Sequence, residues 1–158
     1  QNMDHNNTYN NKTNNNQTDD SNRIISGDDK RCDEESELKA YQSLIKENIE
    51  YEYLLITYPT EKETIEGIYE LIVETVMTSS EKILIASNWY PASLVKSKFM
   101  KLNYHHIQYV LDMLRSNTTK VRNIKKYILA SLFNAPTTID SYYRAEVNHD
   151  FPQYAAAK

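Results

Sequence analysis

From Leu38 to Val147 the apolar residues of this chain recur at steps of three or four, and little in the sequence interrupts them. Steps of that size place side chains on one face of an α-helix. Two glycines and four prolines in 158 residues supply few of the tight turns that a β-rich architecture needs. The expected fold class is therefore mainly α. It is a compact helical domain of about six helices with a small β-hairpin insertion, preceded by a disordered N-terminal segment. The length suits one such domain plus an appendage.

Residues 1–36 read as a disordered, Asn-rich linker, since nine of the first 22 residues are asparagine and Ile24-Ile25 is the first hydrophobic pair. A segment so polar buries too little apolar area to offset the entropy of ordering it. The chain begins at Gln1 and not at a methionine, which points to a piece of a longer protein with another domain upstream. Residues 37–150 form the expected helical domain, and residues 151–158 a frayed tail.

Within the domain, the stripe Leu38, Tyr41, Leu44-Ile45, Ile49, Tyr53 and Ile56 predicts one helix over 37–56, stopped by Pro59. Thr60 with Glu63 has the spacing of a capping box, and a second helix follows to about residue 78. Five glutamates (Glu61, Glu63, Glu66, Glu70 and Glu74) line its outer side, a face that is either solvated or open to a basic partner. K-I-L-I-A, a Ser87-Asn88 turn and Trp89-Tyr90 predict a hairpin anchored on the helical body by Trp89. A third helix follows Pro91, with Leu94, Val95, Phe99 and Leu102 inward and Lys96, Lys98 and Lys101 outward. Asn103 caps a fourth. A fifth is expected over 120–133, ended by Asn134-Ala135-Pro136, and a sixth from Thr137-Thr138 to about residue 148.

Several chemistries find no support in the residues. Adjacent histidines such as His105 and His106 point about 100° apart on a helix and do not share an ion unaided. His149 and Cys32 add no metal-ligand spacing, and Cys32 lies in the expected linker, away from any partner base. The two glycines, Gly27 and Gly67, do not make a phosphate-cradling loop. No catalytic constellation, metal site or cofactor is expected. A single cysteine, no 18-residue apolar run and a polar N-terminus suggest a cytoplasmic protein without a membrane partner.

Charge is the informative feature. The net charge of −4 hides two halves of opposite sign: residues 82–158 carry 11 Lys/Arg against 4 Asp/Glu, and residues 1–81 carry 7 against 18. From Lys96 to Lys126 there are eight basic residues (Lys96, Lys98, Lys101, Arg115, Lys120, Arg122, Lys125 and Lys126) and one acid, Asp112. Together with Arg144, these are the candidate nucleic-acid-binding residues. Cations beside Ser, Asn and Thr at helix starts suit phosphate contact. Tyr104, Tyr109, Tyr127, Tyr142 and Tyr143 lie close enough in sequence to stack on unpaired bases, although each also suits a helical core. A rival stays open: the acidic first half could fold back on the basic second half and occupy the patch.

The runs L-V-K-S-K-F-M-K-L-N (94–103), R-S-N-T-T-K-V-R-N-I-K-K-Y (115–127) and D-S-Y-Y-R-A-E-V-N-H-D (140–150) carry a resemblance. Over about residues 37–154 the chain resembles the C-terminal domain of replication initiator protein A, from plasmids and integrative elements of Firmicutes. Such C-terminal modules are in turn similar to the domain of the primosomal protein DnaD. Tyr143 and Val147 follow the DnaD pattern, while Phe151 stands where that pattern has a tryptophan. The resemblance implies a larger initiator with an upstream winged-helix DNA-binding domain, and a terminal module that contacts DNA or host replication proteins such as primase or helicase-loading factors.

The leading expectation is a non-enzymatic replication-initiation module that touches DNA through its basic face. The alternatives are a protein-interaction or oligomerisation domain without direct DNA contact, and a small regulator binding its own promoter.

Overall fold

A computed structural model describes residues 27–155. The chain runs α1 (Gly27–Asn48), α2 (Tyr51–Thr57), a single 3₁₀ turn (Pro59–Glu61), α3 (Lys62–Met77), β1 (Lys82–Ile85), β2 (Asn88–Pro91), α4 (Ala92–Phe99), α5 (Tyr104–Ser116), α6 (Ile124–Asp150) and the short α7 (Pro152–Ala155). The mainly helical architecture with one two-stranded antiparallel hairpin is as the periodicity implies. The expected disorder of residues 1–26 lies outside the described residues. Residues 27–36, expected to be disordered, belong to α1, and Glu35 and Lys39 pair across one turn of it at 2.7 Å.

The core gathers on α3. Ile65, Ile68, Tyr69, Leu71, Ile72, Val73 and Val76 are all buried, and Thr75 beside them returns its hydroxyl to the Leu71 carbonyl at 2.6 Å. α1, α2, α4 and α6 each pack against this helix. The expected single helix over 37–56 breaks in two at Ile49-Glu50. Glu50 takes a left-handed conformation (φ 52°, ψ 50°), which costs about 1 kcal/mol in a residue with a side chain. The turn carries Ile49, Tyr51 and Leu54 together into the core, and Asn48 fixes it from the side by donating to the Met100 carbonyl at 3.2 Å. The Thr60 capping box does not form, because Pro59–Glu61 is a 3₁₀ turn and α3 has no side-chain cap.

The hairpin turn falls at Ala86-Ser87, both at positive φ (48° and 70°), one residue earlier than the sequence suggests. That change moves each pairing by two residues and leaves the faces as they were. Trp89, expected to anchor the hairpin, pairs with Leu84 on the outer face and is 65% exposed. Tyr90 takes the inner position beside Ile83, with its ring 4.7 Å from Phe133 of α6.

In α4, Ala92, Val95 and Phe99 point inward while Leu94, expected inside, is exposed. Asn103 caps α5 as expected: its side chain accepts from the His106 N–H at 3.2 Å, and His106 Nδ1 accepts from the Asn103 N–H at 3.1 Å. α6 starts four residues later than expected, because Thr119 folds back on Asn117 (N–H to Oδ1, 2.8 Å) and Asn123 provides the cap. It then continues through Pro136, merging the two expected helices. Pro136 removes the N–H that would bond to the Leu132 carbonyl. On the two carbonyls that follow, Lys98 Nζ donates to Phe133 O at 3.4 Å, and the Thr137 and Thr138 hydroxyls donate to Asn134 O at 2.8 and 3.0 Å.

Burial first, and the neighbouring His105 second, hold the His106 imidazole below its ordinary range, against an opposing pull from Asp140. The neutral ring is also the form that can accept from Asn103. A depressed folded value means that the unfolded chain binds more protons, so stability present above about pH 6.5 falls as the pH drops below it. His149 works in the opposite sense, held above its ordinary range by the hydrogen bond and charge of Asp150. The effect of His106 is therefore isolated by comparison with His106→Gln, which retains a capping side chain. Urea denaturation from pH 7 to about pH 5.5 is expected to show the native chain losing stability relative to the variant. Parallel curves would show that the cap does not titrate.

Candidate nucleic-acid interface

The basic residues singled out by the sequence divide into two groups. Three are engaged within the fold. Lys98 lies over the Phe133 ring, 4.0 Å from its centroid, and donates to the carbonyl of the same residue. Arg115 is held from three sides: Nε donates to Glu61 Oε1 at 2.7 Å, Nη1 to Asp112 Oδ1 at 2.9 Å, and the guanidinium covers the Tyr58 ring at 5.0 Å. Lys125 binds both carboxylate oxygens of Glu74 at 2.9 and 2.7 Å. The acidic half thus does fold back on the basic half, at these two carboxylates.

The remaining six have no side-chain partner among the described residues. Lys120 and Arg122 are exposed in the connection after α5, and Lys126 is exposed in the first turn of α6. Lys101 is exposed in the connection between α4 and α5, Arg144 is exposed in the later part of α6, and Lys96 is half-buried on α4. Lys120, Arg122 and Lys126 fall within seven residues of chain, at the start of a 27-residue helix whose dipole adds positive potential there. Asn123 occupies the Lys126 N–H at 3.0 Å, so contact with an anion rests mainly on the three side chains.

The tyrosines are mostly structural. Tyr109, Tyr142 and Tyr143 pack edge to face with centroids 5.0 to 6.3 Å apart. Tyr143 also donates to Asp112 Oδ2 at 3.3 Å, and burial, with the Asp112 charge beside it, pushes its hydroxyl up to about 12. Tyr104 packs on Tyr53 at 5.4 Å. Tyr127 is half-buried beside Lys126.

The sequence did not reveal a groove of about 750 Å³ between α3 on one side and the end of α5 with the start of α6 on the other. Leu71, Leu114 and Ile128 give it an apolar floor, and Ile124, 53% exposed, stands at its edge. Glu61, Glu63, Glu70 and Glu74 line the α3 wall. The signal in the sequence was Gly67, which breaks the outer stripe of glutamates at a helical position where alanine would be more favourable.

Residues 13–153 match the family described as "Family of unknown function (DUF6017)". The chain belongs to that family. No curated protein and no solved structure matches this DUF6017 chain. Among the described residues, no group of three or more His, Cys, Asp or Glu is placed to hold a metal ion, and no helix is long and apolar enough to cross a membrane.

The Glu74–Lys125 pair is solvent-exposed on both sides, so its contribution is small and sensitive to salt. A double-mutant cycle with Glu74→Gln and Lys125→Met is expected to give a coupling of about 0.3–1 kcal/mol that fades toward 1 M salt. A coupling that persists at high salt would mean that the pair is more shielded than its geometry implies.

Proposed function

We propose that this DUF6017 chain is a non-enzymatic module of a plasmid or mobile-element replication initiator. It acts in the cytoplasm, downstream of a DNA-binding domain of the same protein. It contacts DNA through the connection between α5 and α6, and it recruits host replication proteins. The replication context comes from the resemblance of residues 37–154 to initiator C-terminal domains. The DNA contact rests on one observation: beside the start of α6, Lys120, Arg122 and Lys126 are exposed and have no partner among the described residues, although two nearby cations are neutralised by Glu61 and Glu74. Free cations at a helix start attract phosphate without regard to sequence. A second reading, a protein-interaction domain without direct DNA contact, is favoured by the groove beside α3.

Fluorescence anisotropy with labelled single- and double-stranded DNA separates the two. Binding is expected to weaken steeply with salt, with a log–log slope of about −0.7 to −0.9 for each phosphate contacted. Changing Lys120, Arg122 and Lys126 together to Glu is expected to abolish binding with helicity intact, because all three side chains are free of the fold. Unchanged affinity in that triple variant would refute the DNA role of the cluster.

A further inference from the structure

The groove between α3 and α6 has features that the DNA reading does not use. From Glu61 to Glu74 the α3 wall spans roughly 20 Å, at about 1.5 Å per residue, enough for three to four turns of a helix lying alongside. Ion pairs brace the two walls: Arg115 to Glu61 near one end and Lys125 to Glu74 near the other. Between them Glu63 and Glu70 are exposed over the apolar floor and have no ion-pair partner among the described residues.

Gly67 lies in this same wall. A Cβ built there meets nothing within 4 Å, so crowding inside the fold does not account for the glycine. Glycine inside a helix is about 0.5–1 kcal/mol less favourable than alanine. The position leaves open space in the wall where a side chain from outside could enter. Apolar floor, unpaired acids and that gap are complementary to one kind of occupant.

We infer that this groove docks a basic amphipathic helix of a partner protein. Its apolar stripe would cover Leu71, Leu114, Ile128 and the exposed Ile124, in the manner of helix-in-groove recognition. Its lysines or arginines would meet Glu63 and Glu70. Nucleic acid does not fit here, since the unpaired carboxylates would repel phosphate. The inference does not rest on the DNA reading, because the groove and the free cations involve different side chains.

The test uses a fluorescein-labelled Leu/Lys peptide of about 14 residues with helical amphipathic spacing, roughly the length of the groove, and a Leu/Glu peptide of the same spacing as control. The Leu/Lys peptide is expected to bind the full chain with a micromolar Kd, and the Leu/Glu peptide not to bind. Gly67→Leu, which fills the gap while favouring helix, is expected to weaken binding about tenfold or more, a loss of about 1.4 kcal/mol, without lowering the melting temperature. Glu63→Lys with Glu70→Lys is expected to weaken it similarly. The triple variant at Lys120, Arg122 and Lys126 is expected to retain peptide binding, so failure of the DNA reading and failure of this one stay distinguishable. No binding of the Leu/Lys peptide, or undiminished binding to Gly67→Leu, would overturn the inference.

Discussion

The burial of α3 is the constraint on which the rest of the structure depends. Half of its 16 residues are buried, more than a single packing face can hide, so other elements must close on it from several directions. α1 and α2 bend around it through the left-handed turn at Glu50. α4 and α6 cover further sides. What stays uncovered is the stripe through Glu63, Gly67, Glu70 and Glu74. Glu61, just before α3, draws Arg115 across from α5, and Glu74 draws Lys125 from α6, which sets the walls of the groove and removes two cations from the basic surface. Core packing and surface electrostatics are thus consequences of one helix.

Much of this was legible in the sequence, because apolar spacing and capping chemistry are local. The helical class, the hairpin and the Asn103 cap all follow from neighbours within a few residues. The misreadings involve contacts between distant segments. Pro136 reads as a stop, yet its helix continues through it, packed against α4 and α5. Glu50 has none of the usual markers of a left-handed residue, and the burial of Ile49, Tyr51 and Leu54 outweighs the local cost. At the hairpin it is Tyr90 that packs on the helical body, against Phe133 of α6, while Trp89 stays exposed.

The candidate site shows the same division. A count of lysines and arginines located the basic region, but partners more than 50 residues away decide which cations are available. Glu61 takes Arg115 and Glu74 takes Lys125, and neither pairing leaves a trace in local spacing. Lys120, Arg122 and Lys126 escape because they sit in and just after the α5–α6 connection, where no acidic side chain of the described residues reaches them. The tyrosines, plausible base-stacking platforms in sequence, are largely engaged with one another or with Asp112. In this account the positive surface is narrower than composition suggests, and it is concentrated at the start of α6.

The central claim is that the free cations, and not the engaged ones, meet nucleic acid. Chemical-shift mapping of the isotopically labelled chain during titration with a short oligonucleotide tests this residue by residue. Shifts are expected to concentrate over 117–126, with little change at Glu61, Gly67 and Glu70, and to be lost at raised salt. Shifts centred on the groove, or none at low salt, would contradict it.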